Sequence, residues 1–270
     1  MHLEIIILGL AGFLILGLSS GILAGLLGAG GGLVVVPGLA FIFRFSPILP
    51  SLQMHMAIGT SLATMIVVAA RSLRSHMKHE TPFFDVYKRM ALGIIVGVIG
   101  AGIVAHLVRS HVLSIIFGIF VFAMAYSLYF DKKKLEIEKT KQPETTMMLA
   151  AGLFIGMMSG LLGVAGSAFS VPFLTKHGTN MHVAIVVSIA IALTVATLGT
   201  ITFMYTGLHA AHLPQWSTGY IYWPAWICLV IGGIVSAPIG AMLSYRVSDY
   251  KLKRYFAIFL IFVGIEMLWP

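Results

Sequence analysis

The sequence contains one glycine-rich stretch twice, first as Gly25-Leu-Leu-Gly-Ala-Gly-Gly-Gly-Leu-Val-Val-Val-Pro37-Gly-Leu39 and again as Gly160-Leu-Leu-Gly-Val-Ala-Gly-Ser-Ala-Phe-Ser-Val-Pro172-Phe-Leu174. The two copies share the Gly-Leu-Leu-Gly start and the position of the proline. The offset between them is 135 residues, and the same offset relates Gly17 to Gly152 and Gly21 to Gly156. Further on, the pattern Ala-Ile-x-x-Ser occurs at 57–61 and again at 184–188. The sequence therefore predicts two related halves.

The composition indicates that lipid surrounds most of the chain. Hydrophobic residues make up 59% and charged residues 10% of the 270 residues, against about 45 to 50% and about 25% in soluble domains. So few charges cannot cover a water-exposed surface, which excludes soluble enzymes, secreted disulfide scaffolds and disordered proteins. The net charge is +8, but the positive residues lie in short loops between apolar runs, so no nucleic-acid partner is expected.

Eight apolar runs are long enough to cross a bilayer, which takes about 20 residues. They lie near 3–27, 55–73, 90–108, 112–130, 147–162, 183–205, 222–245 and 252–269. Two shorter runs, near 33–43 and 168–175, follow the glycine-rich stretches and are too short to cross alone. The predicted fold is thus all-α and integral to the membrane, with about eight long transmembrane helices and two short broken or re-entrant helices.

Lysine and arginine positions predict the topology, because short cytoplasmic loops carry the excess of positive charge. We assign a first transmembrane repeat to 1–130, a polar cytoplasmic linker to 131–146 and a second repeat to 147–270. If each broken pair enters and leaves on one side, all positive residues except Arg44 and Arg109 are cytoplasmic. Both termini are then periplasmic, and the two repeats have inverted topology, in a multi-pass protein of the bacterial inner membrane.

Inverted repeats with helices broken at corresponding points are typical of secondary transporters, whose substrate site lies at the breaks. The first N–H groups of a helix have no intrahelical partner and carry partial positive charge, so two such helix starts near the membrane centre favour an anion. Substrate contacts are therefore predicted at Gly30, Gly31, Gly32 and Gly166. The alternative for these glycines is close helix packing, which we favour for the isolated Gly97, Gly102, Gly118 and Gly233.

Three further motifs extend the pattern: Ala57-Ile-Gly-Thr-Ser-Leu62, Arg74-Ser-His-Met-Lys-His79 and Leu213-Pro-Gln-Trp-Ser-Thr-Gly-Tyr-Ile-Tyr-Trp-Pro-Ala225. With the doubled glycine-rich break, the chain resembles the TauE/SafE sulfite exporter family over essentially its whole length. The resemblance implies a permease that exports a small sulfur-containing anion, such as sulfite, sulfoacetate, thiosulfate or a related organosulfonate, with proton coupling and no cofactor. In the second half, the matching stretch Ala184-Ile-Val-Val-Ser-Ile189 lacks the threonine of Gly59-Thr60-Ser61. A permease or channel for another small anion, such as a carboxylate, stays open as the alternative.

Hydroxyl groups within the apolar runs are further candidates for substrate contacts, because polar groups are costly in a membrane. The candidates in the first half are Thr60, Ser61 and Thr64, and those in the second are Ser167, Ser170 and Ser188. Each could donate to an oxyanion. The alternative is a hydrogen bond back to a carbonyl of its own helix.

Four basic residues have candidate roles in transport. Arg71 and Arg74 share a helix face at the predicted cytoplasmic end, where they could attract an anion to the inner mouth, or only fix the topology. His55 and His182 each precede the helix that follows a break and could carry a proton, or only lie at the membrane interface. No acidic residue is predicted deep in the membrane, so the proton would travel on histidine or on the substrate.

A metalloenzyme is the rival class, because His76-x-x-His79 and His209-x-x-His212 could ligate a metal. The predicted topology puts the two pairs on opposite sides of the membrane, so neither a metal nor a catalytic residue is expected.

The expected partners are a small anionic substrate and membrane lipid, and a homo-oligomer stays open. Interfacial anchoring is predicted for the aromatic residues Trp216, Tyr220, Tyr222, Trp223 and Trp269.

Overall fold

The computed structural model describes residues 2–27, 31–76, 84–130, 144–244 and 249–268. These residues form ten helices and one short β-hairpin: α1 (His2–Leu27), α2 (Gly32–Arg44), α3 (Pro50–His76), α4 (Phe84–Leu107), α5 (Ser110–Phe130), α6 (Thr145–Leu162), α7 (Ser167–Lys176), α8 (Met181–Gly207), β1 (Ser217–Thr218), β2 (Ile221–Tyr222), α9 (Trp223–Ser244) and α10 (Asp249–Leu268). The predicted helical class is confirmed. The hairpin was not predicted.

Six helices in the described part of the chain are long and apolar enough to cross a membrane. The segments that meet this length and composition are Pro50–Arg74, Phe84–Leu107, Ser110–Tyr129, Thr145–Leu162, Met181–Gly207 and Trp223–Gly240. Gly9–Ala24 within α1 and Gly32–Arg44 are shorter apolar helices. The chain is therefore a multi-pass membrane protein, while the count of eight crossings stays a prediction. Most of the predicted linker, 131–143, lies outside the described residues.

The two breaks have matching local structure. α1 ends at Leu27 and α6 at Leu162, and α2 and α7 begin 135 residues apart. Their N-cap residues, Gly31 and Gly166, have nearly the same backbone angles, with φ of −61° and −62° and ψ of −3° and −6°. α2 has 13 residues and α7 has 10, so at 1.5 Å per residue neither spans a core about 30 Å thick.

Helices of the first half pack along helices of the second half. α1 of the first half packs along α9 of the second, and α6 of the second packs along α4 of the first. Equivalent glycines make both approaches close: a Cβ on Gly21 would lie 2.7 Å from the Gly233 carbonyl oxygen, and one on Gly156 would lie 2.5 Å from that of Ile94. Small residues let helices approach in lipid, where no hydrophobic force drives them together. These contacts tie the halves into one body.

The two longest helices, α3 and α8, have 27 residues each and pack against each other between the other elements. α2 and the hairpin pack on α3, and α7 packs on α8. On α3, the side chains from Met54 to Met65 are all buried. Both broken helices therefore rest on a buried central pair.

Candidate functional site

Two adjoining cavities lie where the breaks meet the central helices. The larger, of about 120 Å³, is bordered by Ser167 and Ser188. The smaller, of about 30 Å³, is bordered by Gly31, Gly32, Ser61 and Thr64. Ala24, Met65 and Val68 line both. Because about 10 to 15 Å³ suffices for one water, the larger cavity has room for a small oxyanion.

One face of α3 forms a continuous wall of the two cavities. Its lining residues are Ser61, Thr64, Met65, Val68, Ala69 and Ser72. Their spacing of three and four residues is that of one helix face. From Ser61 to Ser72 the wall rises by eleven residue steps, about 16 Å at 1.5 Å per residue, and it leads towards the exposed Arg71 and Arg74. In this way the cavities extend from the breaks to the arginine end of α3.

The breaks of the two halves touch at Gly163. This residue ends α6 with a φ of +64°, a conformation that suits glycine. A Cβ on Gly32 would lie 2.7 Å from its carbonyl oxygen, and the Ser61 hydroxyl donates to the same oxygen at 2.9 Å. Close packing therefore applies to Gly32, and also to Gly166, where a Cβ would lie 2.9 Å from Ile191.

Most hydroxyl hydrogens at the cavity walls are already used. Thr64 donates to the Thr60 carbonyl at 2.9 Å, Ser188 to that of Ile185 at 2.7 Å and Ser20 to that of Gly17 at 3.0 Å. Within the described chain, the buried Ser167 hydroxyl has no hydrogen-bond partner. Among the described residues, the donors available to an anion are therefore the Ser167 hydroxyl and, from helix geometry, the first N–H groups of α2 and α7.

Four predicted substrate contacts are not among the wall residues. Gly30 lies outside the described residues. Gly166, Thr60 and Ser170 border neither cavity, and Thr60 and Ser170 are fully buried. The Thr60 hydroxyl instead accepts a hydrogen bond of 3.1 Å from the backbone N–H of Tyr222. Sequence spacing correctly placed Thr60 and Thr64 on one helix, but tertiary structure gives their hydroxyls different partners.

The two histidines that the sequence paired have unlike surroundings. His55 is 4% exposed, and its Nε2–H donates to the Ala105 carbonyl at 2.9 Å. No described residue bonds its Nδ1. His182 is exposed at the second position of α8, where Asn180 caps the helix by accepting from the His182 N–H. Of these two histidines, only His55 is buried.

The hairpin is the part of this region that the sequence interpretation missed. Tyr220 is 4% exposed, so its prediction as an interfacial anchor is wrong, whereas Trp216 is 78% exposed. Burial raises the pKa of the Tyr220 and Tyr222 phenols, which keeps both protonated. The sequence feature that indicates the hairpin is Ser-Thr-Gly before Tyr220, because Gly219 forms the turn with a φ of +57°.

Gly233 lies at the close contact of α1 with α9 as predicted, since a Cβ on Gly21 would lie 2.7 Å from its carbonyl oxygen. A Cβ on Gly233 itself would meet no atom within 4 Å, and the residue also borders the smaller cavity. Gly97 and Gly118 pack as predicted, against α6 and against Leu268 of α10.

The described residues contain no group of three or more histidine, cysteine or acidic side chains placed to hold a metal ion. His209 and His212 are exposed. The second predicted pair cannot be compared with them, because the His76 side chain and all of His79 lie outside the described structure.

Helices that cross the membrane and cavities between two packed halves define a multi-pass helical membrane protein. The profile of the family described as sulfite exporter TauE/SafE matches residues 13–267. The chain therefore belongs to the TauE/SafE family, and it is a membrane transporter by the names of its relatives.

Three relatives match nearly the whole chain. A probable membrane transporter protein of Haemophilus influenzae is 32% identical over 254 residues, covering 94% of this chain and 96% of the relative. The probable membrane transporter protein YunE of Bacillus subtilis is 24% identical, with coverage of 94% and 96%. A probable membrane transporter protein of Methanocaldococcus jannaschii is 27% identical, with 94% of each chain covered. No solved structure matches the chain significantly.

Proposed function

We propose that this protein is a secondary transporter that exports a small sulfur-containing anion, such as sulfite, sulfoacetate, thiosulfate or a related organosulfonate. The substrate site consists of the two cavities and the helix starts at Gly31, Gly32, Gly166 and Ser167. The observation that carries the proposal is the position of these starts: Gly32, the first residue of α2, and its equivalent Ser167, the first residue of α7, border adjoining cavities. The family name supports the sulfur chemistry.

The donors at the site favour an anion over a neutral or cationic solute. None of the described residues that line the cavities is charged, so the backbone N–H groups of α2 and α7 dominate the local electrostatics. A negative charge at helix starts is stabilised by their partial positive charge. Ser61, Thr64 and Ser188 act here chiefly through their oxygen atoms and by shaping the walls, since their hydrogens bond carbonyl groups.

Transport follows an alternating-access cycle in which the inverted repeats rock around this site. The protein lies in the bacterial inner membrane with both termini in the periplasm, and the arginine end of α3 faces the cytoplasm. Export then begins when an anion reaches the cavities past Arg71 and Arg74. Coupling to protons uses either His55, whose Nδ1 can accept one, or the substrate itself.

The test is the thermal stability of the purified protein with sulfite, thiosulfate, sulfoacetate, sulfate, phosphate and carboxylates. An anion at about 100 times its dissociation constant stabilises the folded state by about 2.7 kcal/mol if it binds that state alone. We expect a selective shift with one sulfur anion. A shift with carboxylates alone would favour the alternative permease or channel and overturn the sulfur assignment.

A matched pair of variants locates the binding site. Ala24 lines both cavities, so Ala24→Leu should fill them and abolish the shift. Ala123 is exposed on α5, so Ala123→Leu adds the same side chain elsewhere and should leave the shift unchanged. Equal shifts in both variants would place the anion at another site.

A further inference from the structure

The hairpin Ser217–Tyr222 is seated inside the helical body between α3 and α8. Ile221 is completely buried, and Tyr220 is nearly so. Two glycines make room for it: a Cβ on Gly59 of α3 would lie 2.6 Å from the Tyr220 carbonyl oxygen, and one on Gly207 of α8 would lie 2.5 Å from the Tyr220 nitrogen. Backbone contacts this close leave no space for a side chain on either helix.

Polar contacts hold the seated hairpin at several points. The Tyr222 N–H donates to the Thr60 hydroxyl at 3.1 Å, and the Tyr220 N–H donates to the Phe203 carbonyl at 3.3 Å. The Tyr220 hydroxyl shares a hydrogen bond of 3.1 Å with Nδ1 of His106. The ring of Tyr220 also lies 5.0 Å from the ring of His55.

The hairpin lies directly beyond the end of the cavities. Thr60, which holds it, precedes Ser61, where the cavity wall of α3 begins. From Ser61 the wall leads towards the arginine end. In the other direction α3 continues with Met54, Ala57 and Ile58, which are at most 1% exposed. The cavity wall on α3 therefore ends at Ser61, and the α3 residues beyond it are packed.

The contacts with α3 and α8 decide where the hairpin lies. It pairs only two residues per strand, Ser217 with Tyr222 and Thr218 with Ile221, and so short a hairpin has no stability of its own. The preceding segment holds His212 and Trp216 at φ of 60° and 66°, which is costly for residues other than glycine. Losing the contacts with α3 and α8 would therefore release the hairpin.

We infer that the hairpin is the gate that closes the anion route at the end opposite Arg71 and Arg74, and that Thr60 is a positioning residue that holds this gate shut. The inference rests on the proposed transport function. It assigns the structure to the state that is open towards the arginine end. In the other state of the cycle, the Tyr222–Thr60 hydrogen bond is broken and the cavities open past the hairpin.

Thiol labelling tests the gate without reference to any substrate. Val68 lines both cavities, so Val68→Cys in a Cys228→Ala background should react with a membrane-impermeant thiol reagent from the arginine side at least tenfold faster than from the hairpin side. Adding Thr60→Val, which keeps the shape but removes the acceptor for Tyr222, should raise the rate from the hairpin side several-fold. Right-side-out and inside-out vesicles present the two sides separately.

A matched variant distinguishes release of the gate from general loosening. Thr197 of α8 donates only within its own helix, to the Leu193 carbonyl, so Thr197→Val should leave both labelling rates unchanged. Equal reactivity from the two sides before any change at Thr60, or equal effects of Thr60→Val and Thr197→Val, would overturn the gate.

Cross-linking connects the gate with transport. Thr60→Cys with Tyr222→Cys, in the Cys228→Ala background, should form a disulfide on oxidation. Sulfoacetate is the probe, because sulfite itself cleaves disulfides. We expect oxidation to reduce sulfoacetate flux through the double-cysteine variant at least tenfold, and a reductant to restore it. Oxidation should not change flux through either single-cysteine variant. Full flux through the cross-linked protein would overturn the gate, whereas one-sided labelling without transport of any sulfur anion would overturn only the proposed function.

Discussion

The hydroxyl of Ser61 donates a hydrogen bond to the carbonyl oxygen of Gly163 across 2.9 Å. Ser61 belongs to the central helix of the first half, and Gly163 is the left-handed residue that ends α6 at the break of the second. The next residue back, Thr60, bonds the hairpin, another element of the second half. Two consecutive residues of α3 thus bond two separate parts of the second half of the chain.

We expect Ser61→Ala to lower the free energy of unfolding by about 1 to 2 kcal/mol, because it leaves a buried carbonyl without its donor. SDS titration of the purified protein measures this loss. Thr64→Val is the control, since the Thr64 hydroxyl bonds only a carbonyl one turn earlier in its own helix. Equal losses in the two variants would show that the bond to Gly163 adds nothing beyond a local contact.

Gly156→Ala should separate α6 from α4. The added Cβ would lie 2.5 Å from the Ile94 carbonyl oxygen, so one helix must move, and overpacking of this kind costs about 1 to 3 kcal/mol. Gly9→Ala in α1 is the control, because its Cβ meets nothing within 4 Å. The same SDS titration should show a loss for Gly156→Ala alone; a fully stable variant would contradict the tight contact.

The ion pair of Arg44 and Glu266 joins α2 to α10. The Arg44 guanidinium lies 3.5 Å from a Glu266 carboxylate oxygen and also donates to the Glu266 main-chain carbonyl at 3.2 Å. Because the second bond survives Glu266→Gln, this change should destabilise less than Arg44→Gln. The side chains are 35% and 29% exposed, so a double-mutant cycle should give a coupling energy of about 0.5 to 1 kcal/mol that declines with salt. Equal single-variant costs would contradict this geometry.

His55→Gln and His182→Gln should have different effects. Glutamine at position 55 loses the ring that faces Tyr220 and lowers stability, whereas His182 is exposed and only its backbone N–H is bonded, so its replacement should leave stability unchanged. If His55 carries the proton, only His55→Gln removes the response of flux to a pH gradient. Proteoliposome flux measures this response; an unchanged response in the double variant would exclude both histidines.

The breaks were predictable from the sequence because glycine and proline decide backbone structure locally. The doubled motif gave the position where each broken helix begins, and Pro37 and Pro172 lie at the same point of α2 and α7. Local chemistry of this kind needs no knowledge of distant contacts.

The partners of the hydroxyls could not be predicted, because they depend on packing between distant segments. Thr60 and Tyr222 are separated by 162 residues, and nothing in the local sequence distinguishes Thr60, which bonds the hairpin, from Thr64, which bonds its own helix. The histidines show the same limit: α3 begins at Pro50, five residues before His55, whereas α8 begins at Met181, directly before His182. A short difference in helix start therefore buries one ring and exposes the other.

Arg71 and Arg74 offer a final prediction, about how the anion reaches the cavities. Both are exposed where the cavity wall of α3 ends, so we expect their charges to attract anions through solvent without changing the site itself. Arg71→Gln with Arg74→Gln should raise the apparent KM for uptake from this side several-fold at low ionic strength, with kcat unchanged. Near 1 M salt, where the screening length is about 3 Å, the effect should vanish.

Arg109→Gln, an exposed change beyond the end of α4, is the matched control and should have no effect from this side. A fall in kcat that persists in high salt would instead place the two arginines on the transport route.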